Sequence, residues 1–193
     1  MKELTSRQGR TEKGTGSYKG NPGPEAGIKP REGAPHPIDP GVDIGHVHLR
    51  AANLGRIKEF YVGILGFDVM VELPGALFIA AGGYHHTMGF NTWESKDGSP
   101  PPPGTTGLYH VAIRYPTRAA LGDALRRLRE SGWPIDGFND HGTHEAIYLR
   151  DSEENGLELY WDRPMEEWPR DEEGHLTFSN RRLDLAGLLR EGL

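Results

Sequence analysis

The run His46-Val47-His48-Leu49-Arg50 returns 64 residues later as His110-Val111-Ala112-Ile113-Arg114. The match continues beyond this strand-like run. Asn53 aligns with Thr117 as a helix N-cap, and Ile57, Phe60, Tyr61 and Ile64 align with Leu121, Ala124, Leu125 and Leu128. Both apolar sets follow the i, i+3, i+4, i+7 spacing of an amphipathic helix. One strand–helix unit is therefore used twice, and each copy opens with a histidine. A duplication at this period constrains the fold more than any local propensity does. Two equivalent histidines predict a site built between the copies.

Around the repeat, the first half reads as a strand over 44–50, a helix over 54–65 and strands over 67–73, 76–80 and 85–92. Pro74-Gly75 and Gly82-Gly83 supply turns. A stiff proline run, Pro100 to Pro103, links the halves. The second half reads as a strand over 108–115, a helix over 118–131 and strands over 135–138, 146–149 and 157–161. Each half is thus βαβββ and about 55 residues long, too short to bury a full core alone. The predicted fold class is α+β, two tandem βαβββ modules forming a shared curved sheet or half-barrel around a metal site. This body spans 41–163, with modules at 41–96 and 105–163. Thirteen of the first forty residues are Gly or Pro, and large apolar side chains are nearly absent there. Residues 1–40 are expected to be an arm that orders only against something else. Residues 164–193 read as an irregular crossing that ends in a docked turn or short helix.

The formal net charge is −6 and the pI about 5.8, so nothing favours nucleic acid or an anionic membrane as partner. Without cysteine, disulfides and thiolate metal sites are excluded. No apolar run approaches the roughly 18–20 residues of a membrane span, and no signal-type apolar stretch opens the chain. The expectation is a cytoplasmic protein. Sheet edges need cover, so a homodimer or larger homo-oligomer is expected, with the arm laid across a neighbouring subunit.

Alternation along the strands picks out the chemistry. Val47 and Leu49 take one face, leaving His46, His48 and Arg50 on the other; Val111 and Ile113 leave His110 opposite; Leu157 and Leu159 leave Glu158 and Tyr160 opposite. A lone strand histidine is usually structural. Two duplicated histidines plus a carboxylate are a different matter: His46, His110 and Glu158 form a two-imidazole, one-carboxylate set with open positions, the facial triad of non-haem Fe(II) oxygenases. His48 shares the face of His46 and competes with it as first ligand, but Ala112 occupies its place in the second copy.

Gly45-His46-Val47-His48-Leu49-Arg50, Phe60-Tyr61 and Leu65-Gly66-Phe67 resemble the opening module motif of the vicinal oxygen chelate superfamily, which includes glyoxalase I, fosfomycin-resistance proteins, bleomycin-binding proteins and extradiol catechol dioxygenases. Tyr148-Leu149-Arg150-Asp151 through Asn155-Gly156-Leu157-Glu158 resembles its closing motif, although the usual Asp-Pro turn has become Asp151-Ser152. Within the superfamily, His85-His86-Thr87-Met88-Gly89-Phe90 resembles the paired-histidine motif of the extradiol branch, nearest to its catechol 2,3-dioxygenase-like members. Tyr148, ten residues before Glu158, and His141 ahead of it resemble that branch's substrate-side tyrosine and histidine. The His141–Tyr148 spacing is shorter than the branch's usual one.

The resemblance implies an Fe(II) enzyme, with Mn(II) as the alternative ion, that cleaves the ring of an aromatic diol with O2. It implies His86 as acid/base and Tyr148 and His141 as hydrogen-bond donors to the substrate. The alternatives are a glyoxalase I-type isomerase, a fosfomycin-resistance-type metalloenzyme, or a metal-free drug-binding module of the bleomycin-resistance kind. Glyoxalase I takes a further carboxylate from the last strand of its first module, and residues 84–93 contain no Asp or Glu.

Overall fold

The computed structural model describes residues 37–192. Gly45–Leu193 forms one compact unit, distinct from the segment that ends at Ile44. The expected arm, residues 1–40, lies almost wholly outside the described residues. No helix among those described is long and apolar enough to cross a membrane.

The first module runs β1 (Val47–Arg50), α1 (Leu54–Lys58), β2 (Asp68–Leu73), β3 (Ala76–Ala80) and β4 (Met88–Asn91). The Asn53 side chain accepts from the backbone N–H groups of Gly55 and Arg56, as an N-cap should. The helix expected over 54–65 keeps its bounds but changes pitch: Glu59–Ile64 is π-helical, and the Leu65 N–H reaches back five residues to Phe60. The second module repeats the order as β5 (Val111–Arg114), α2 (Arg118–Ser131), β6 (Gly137–Asp140), β7 (His144–Arg150) and β8 (Gly156–Asp162). Thr117 caps α2 through its hydroxyl, matching Asn53.

The fold is α+β, with one four-stranded sheet per module, ordered β1-β4-β3-β2 and β5-β8-β7-β6. Hydrogen bonding thus stays within each module. The sharing lies in the core: one apolar cluster takes in Ile57, Phe60, Tyr61, Leu77, Ile79 and Phe90 from the first module and Leu121, Leu125, Leu128, Ile147, Leu157 and Leu159 from the second. Each such side chain gains about 1.5–3 kcal/mol from burial, which neither half could collect alone. A buried polar contact also crosses between the modules, where the Tyr61 hydroxyl donates to Asp151 Oδ2 at 3.0 Å.

The parallel pairs are equivalent. Val47 lies beside Met88 and His48 beside Gly89; Val111 lies beside Leu157 and Ala112 beside Glu158. Under the repeat, Gly89 is therefore the first-module counterpart of Glu158.

The C-terminal segment does more than cross and dock. α3 (Leu185–Glu191) packs on α2 and buries Leu188. Between β8 and α3 the chain returns along the edge of the second sheet, where Asp140 and Arg181 exchange a backbone bridge. Arg163 anchors its start, with Nη2 at 3.0 Å from Asp140 and 2.7 Å from Glu145.

Candidate metal centre

The two repeat histidines stand at the thresholds of their strands rather than inside them. β1 begins at Val47 and β5 at Val111, so His46 and His110 each occupy the residue before the ladder. Gly156 makes the second threshold possible. A Cβ there would collide with the Tyr109 carbonyl and crowd His110 Cα, so glycine lets β8 run close beside the start of β5.

Glu158 is the centre of the second group. It is buried, at 8% exposure, and its two oxygens face different partners. Oε2 lies 3.2 Å from His110 Nε2. Oε1 accepts the Tyr148 hydroxyl at 2.8 Å and lies 3.2 Å from His144 Nε2. Tyr148 reaches it because the antiparallel β7–β8 register sets the two residues directly opposite. Burial works to raise the Glu158 carboxyl. The hydrogen bonds from His144 and Tyr148 and the charges of His144 and His110 outweigh it, and the carboxyl sits below the ordinary range. Burial and the bond to Glu158 push the Tyr148 hydroxyl well up from 10, so it stays a proton donor.

His141 extends this network. Its Nε2 lies 2.8 Å from the Tyr148 hydroxyl and its Nδ1 3.2 Å from the Ser179 carbonyl. The returning C-terminal segment holds it in place, with the Ser179 N–H donating to the His141 carbonyl. Gly142 adopts φ +81 at the hairpin tip, and a Cβ there would meet Pro169 and Ser179. The left-handed turn and the crossing strap therefore require the same residue.

The first-module histidines form another group. His46 and His86 have ring centroids 4.5 Å apart, and His85 and His86 meet Nδ1 to Nδ1 at 2.8 Å. The paired histidines precede β4 rather than lying in a strand from 85, but the Val47 N–H bond to the Thr87 carbonyl at 3.1 Å ties them to the start of β1. Desolvation, then the like charges of His46, His85 and His48, lower His86 below the usual imidazole value. His48 faces Asn91 at 3.0 Å and lies edge-on to Phe78 and Trp93, so its side chain is engaged away from His110 and Glu158.

The geometry thus joins His110, Glu158, Tyr148 and His141 on one side and His46 with His86 on the other. Among the described residues no contact links His46 directly to His110 or Glu158. The donor chemistry suits a divalent ion of the nitrogen/oxygen class: imidazoles around a buried carboxylate that favours its ionised form, with no thiolate.

His144 was not singled out from the sequence. It lies four residues before Tyr148 on the same face of β7, and two steps of strand alternation from that tyrosine would have found it. The backbone contribution of Ser179 had no local signal.

Residues 43–159 match the Glyoxalase/Bleomycin resistance protein/Dioxygenase superfamily, and the chain belongs to that superfamily. It is 38% identical over 148 residues to the catechol-2,3-dioxygenase of Bacillus subtilis (strain 168), covering 77% of this chain and 51% of that protein. It is 30% identical over 121 residues to biphenyl-2,3-diol 1,2-dioxygenase 3 of Rhodococcus globerulus, covering 62% and 63%. The chain thus spans about half to under two thirds of the length of these relatives. Among solved structures, the lactoylglutathione lyase of Agrobacterium tumefaciens shares the fold, with a TM-score of 0.51 at 20% identity over 64% of this chain and 96% of that one.

Proposed function

We propose that this protein is an Fe(II)-dependent extradiol dioxygenase that opens the ring of a catechol-type aromatic diol with O2. The observation that carries this proposal is the convergence of His110 on one oxygen of buried Glu158 and of the Tyr148–His141 pair on the other. The names of the two curated relatives, both diol dioxygenases, support the same reaction class.

His46, His110 and Glu158 would hold the ion, with Mn(II) as the alternative occupant. Bound there, the ion supplies Lewis acidity toward the diol oxygens and an electron path to dioxygen. The chain's own groups bind, orient and move protons. Tyr148 keeps its proton and donates it to an acceptor, which in the free chain is Glu158 and in the complex is a diol oxygen. His141 holds the Tyr148 hydroxyl from behind and is itself fixed by the Ser179 carbonyl. His86 stands against His46 across the site. Its Nδ1 is engaged by His85, so Nε2 is the nitrogen that takes a proton from the diol and returns it during ring opening. The tilted contact of Tyr109 with His110 puts an exposed aromatic ring at the mouth, suited to a flat substrate.

A glyoxalase I-type reaction is disfavoured by Gly89. It occupies the position where the first module would offer a counterpart of Glu158, and a Cβ there already meets His48 and Phe78 at 3.2 Å. A metal-free drug-binding module has no use for a buried ionised carboxylate between imidazoles. Edge strand β2 exposes Val69, Val71 and Leu73, which supports assembly with further copies of this chain. The test of function is direct: ferrous-loaded protein is mixed with catechol in air and followed for the yellow ring-fission product. Production that depends on His110 is the expected result. Metal-loaded protein that consumes no diol overturns the proposal.

A further inference from the structure

The structure assigns a second divalent-cation site to His141, His144 and Glu158, built for Zn2+ and separate from the ion held with His110. The three residues offer ligand atoms that all lie within 4.8 Å of one another. Around a tetrahedral zinc at ~2.0–2.1 Å, neighbouring ligand atoms sit about 3.3 Å apart. His144 Nε2 and Glu158 Oε1 already stand at 3.2 Å. Two imidazoles and one carboxylate with a fourth position open is a donor set that zinc accepts.

A second and independent feature points to ligands rather than to a structural cluster. Metal-binding imidazoles are held by a partner on the other ring nitrogen, which fixes the tautomer and aims the free lone pair. Both histidines have such a partner. His141 Nδ1 faces the Ser179 carbonyl, an obligate acceptor, at 3.2 Å, which leaves Nε2 turned toward Tyr148 and the cluster, where a cation takes the place of the proton it shares with the tyrosine oxygen. His144 Nδ1 meets the Thr143 hydroxyl at 2.8 Å, and a hydroxyl rotates to accept as readily as to donate. The Ser179 support comes from the C-terminal strap, which also anchors the hairpin through Arg163, Asp140 and Arg181.

Glu158 can serve both positions because its oxygens diverge. Oε2 faces His110 and Oε1 faces His144, the bridging arrangement that two-metal sites use. The Tyr148 hydroxyl now touches both His141 Nε2 and Glu158 Oε1, and it yields this position to the cation. On the extradiol reading, zinc there removes Tyr148 and His141 from the substrate, so excess zinc silences turnover. That consequence rests on the proposed function. The count of two equivalents rests on it as well; the His141, His144 and Glu158 geometry does not.

The test is Zn2+ titration of metal-free full-length protein, read as bound equivalents by elemental analysis after desalting and as affinity by calorimetry. Wild type holds two equivalents. His144→Ala, a half-buried position, holds one, and its second equivalent weakens by at least the ~10–100-fold that even an outer partner of a ligand is worth. His110→Ala keeps the His144-dependent equivalent. Side-chain nitrogen NMR of the unmutated protein gives a reading free of folding effects, with His141 and His144 Nε2 shifting as the second equivalent is added. A single equivalent in wild type, or a second that is indifferent to His144→Ala, overturns the proposal. So does an NMR response confined to His46 and His110. A catalytically silent protein that still binds two equivalents sinks the dioxygenase reading and leaves the zinc site standing.

Discussion

Tyr148 and Glu158 face each other across the β7–β8 ladder, and the tyrosine hydroxyl donates to the carboxylate at 2.8 Å. The register that makes this pair also leaves Oε2 pointing at His110. Tyr148→Phe removes the donor but no ligand atom. The expected outcome is retained metal with kcat lowered about 100-fold, within the range of lost acid/base assistance, as measured by steady-state kinetics beside elemental analysis. Loss of metal instead would make Tyr148 a support of ion binding rather than of substrate.

Replacing Glu158 removes the centre itself. Glu158→Ala is expected to abolish metal retention and turnover together, because both His110 and the Tyr148–His144 pair converge on this one carboxylate. Dialysed protein that still carries stoichiometric iron would show the third ligand to be another residue.

His86 sits against His46, its Nδ1 occupied by His85. His86→Ala should keep the ion and bind the diol while turnover falls by roughly 10²–10⁴. Calorimetry of diol binding and single-turnover kinetics on the same sample separate the two effects. Normal turnover would return the His85-His86 pair to a solvated loop end.

Buried Tyr61 and half-buried Tyr115 both bear on the alkaline limit of stability. Burial pushes Tyr61 well above 10, reinforced by Asp151, and raises Tyr115 to about 12. Below pH ~10 both hydroxyls are protonated in the folded and unfolded chains, and the shifts cost nothing. Above it the unfolded chain releases protons that the folded one keeps, so stability falls as pH rises toward 12. Denaturant midpoints should be flat near neutrality and decline above about pH 10. Tyr61→Phe should flatten that decline while lowering neutral stability by about 1–3 kcal/mol, because Asp151 Oδ2 loses a buried donor.

Much of this was legible in the sequence because the repeat carries it. The 64-residue offset gave His46 and His110 equivalent positions, Asn53 and Thr117 equivalent caps, and the core faces of both helices. The ten-residue spacing of Tyr148 and Glu158 resembled that of the extradiol branch's substrate-side tyrosine, and the ladder sets the two residues opposite each other. What escaped was non-local. The π-helical turns from Glu59 place Phe60 and Tyr61 in the core that both modules share. The Ser179 carbonyl reaches His141 from 38 residues away, through backbone that has no residue signature. His144 fell outside the strand expected over 146–149, whereas β7 begins at His144 and aims it at Glu158.

An extradiol dioxygenase inserts both atoms of O2 into its aromatic diol, and the proposed function requires this of the present chain. Ferrous-loaded protein should be given catechol under heavy-isotope dioxygen, and the product analysed promptly by mass spectrometry. One O2 should be consumed per ring opened, with both heavy atoms in the yellow hydroxymuconic semialdehyde-type product, and His110→Ala should give no product. Product carrying one heavy atom or none, or a diol left intact by fully metal-loaded protein, would contradict it.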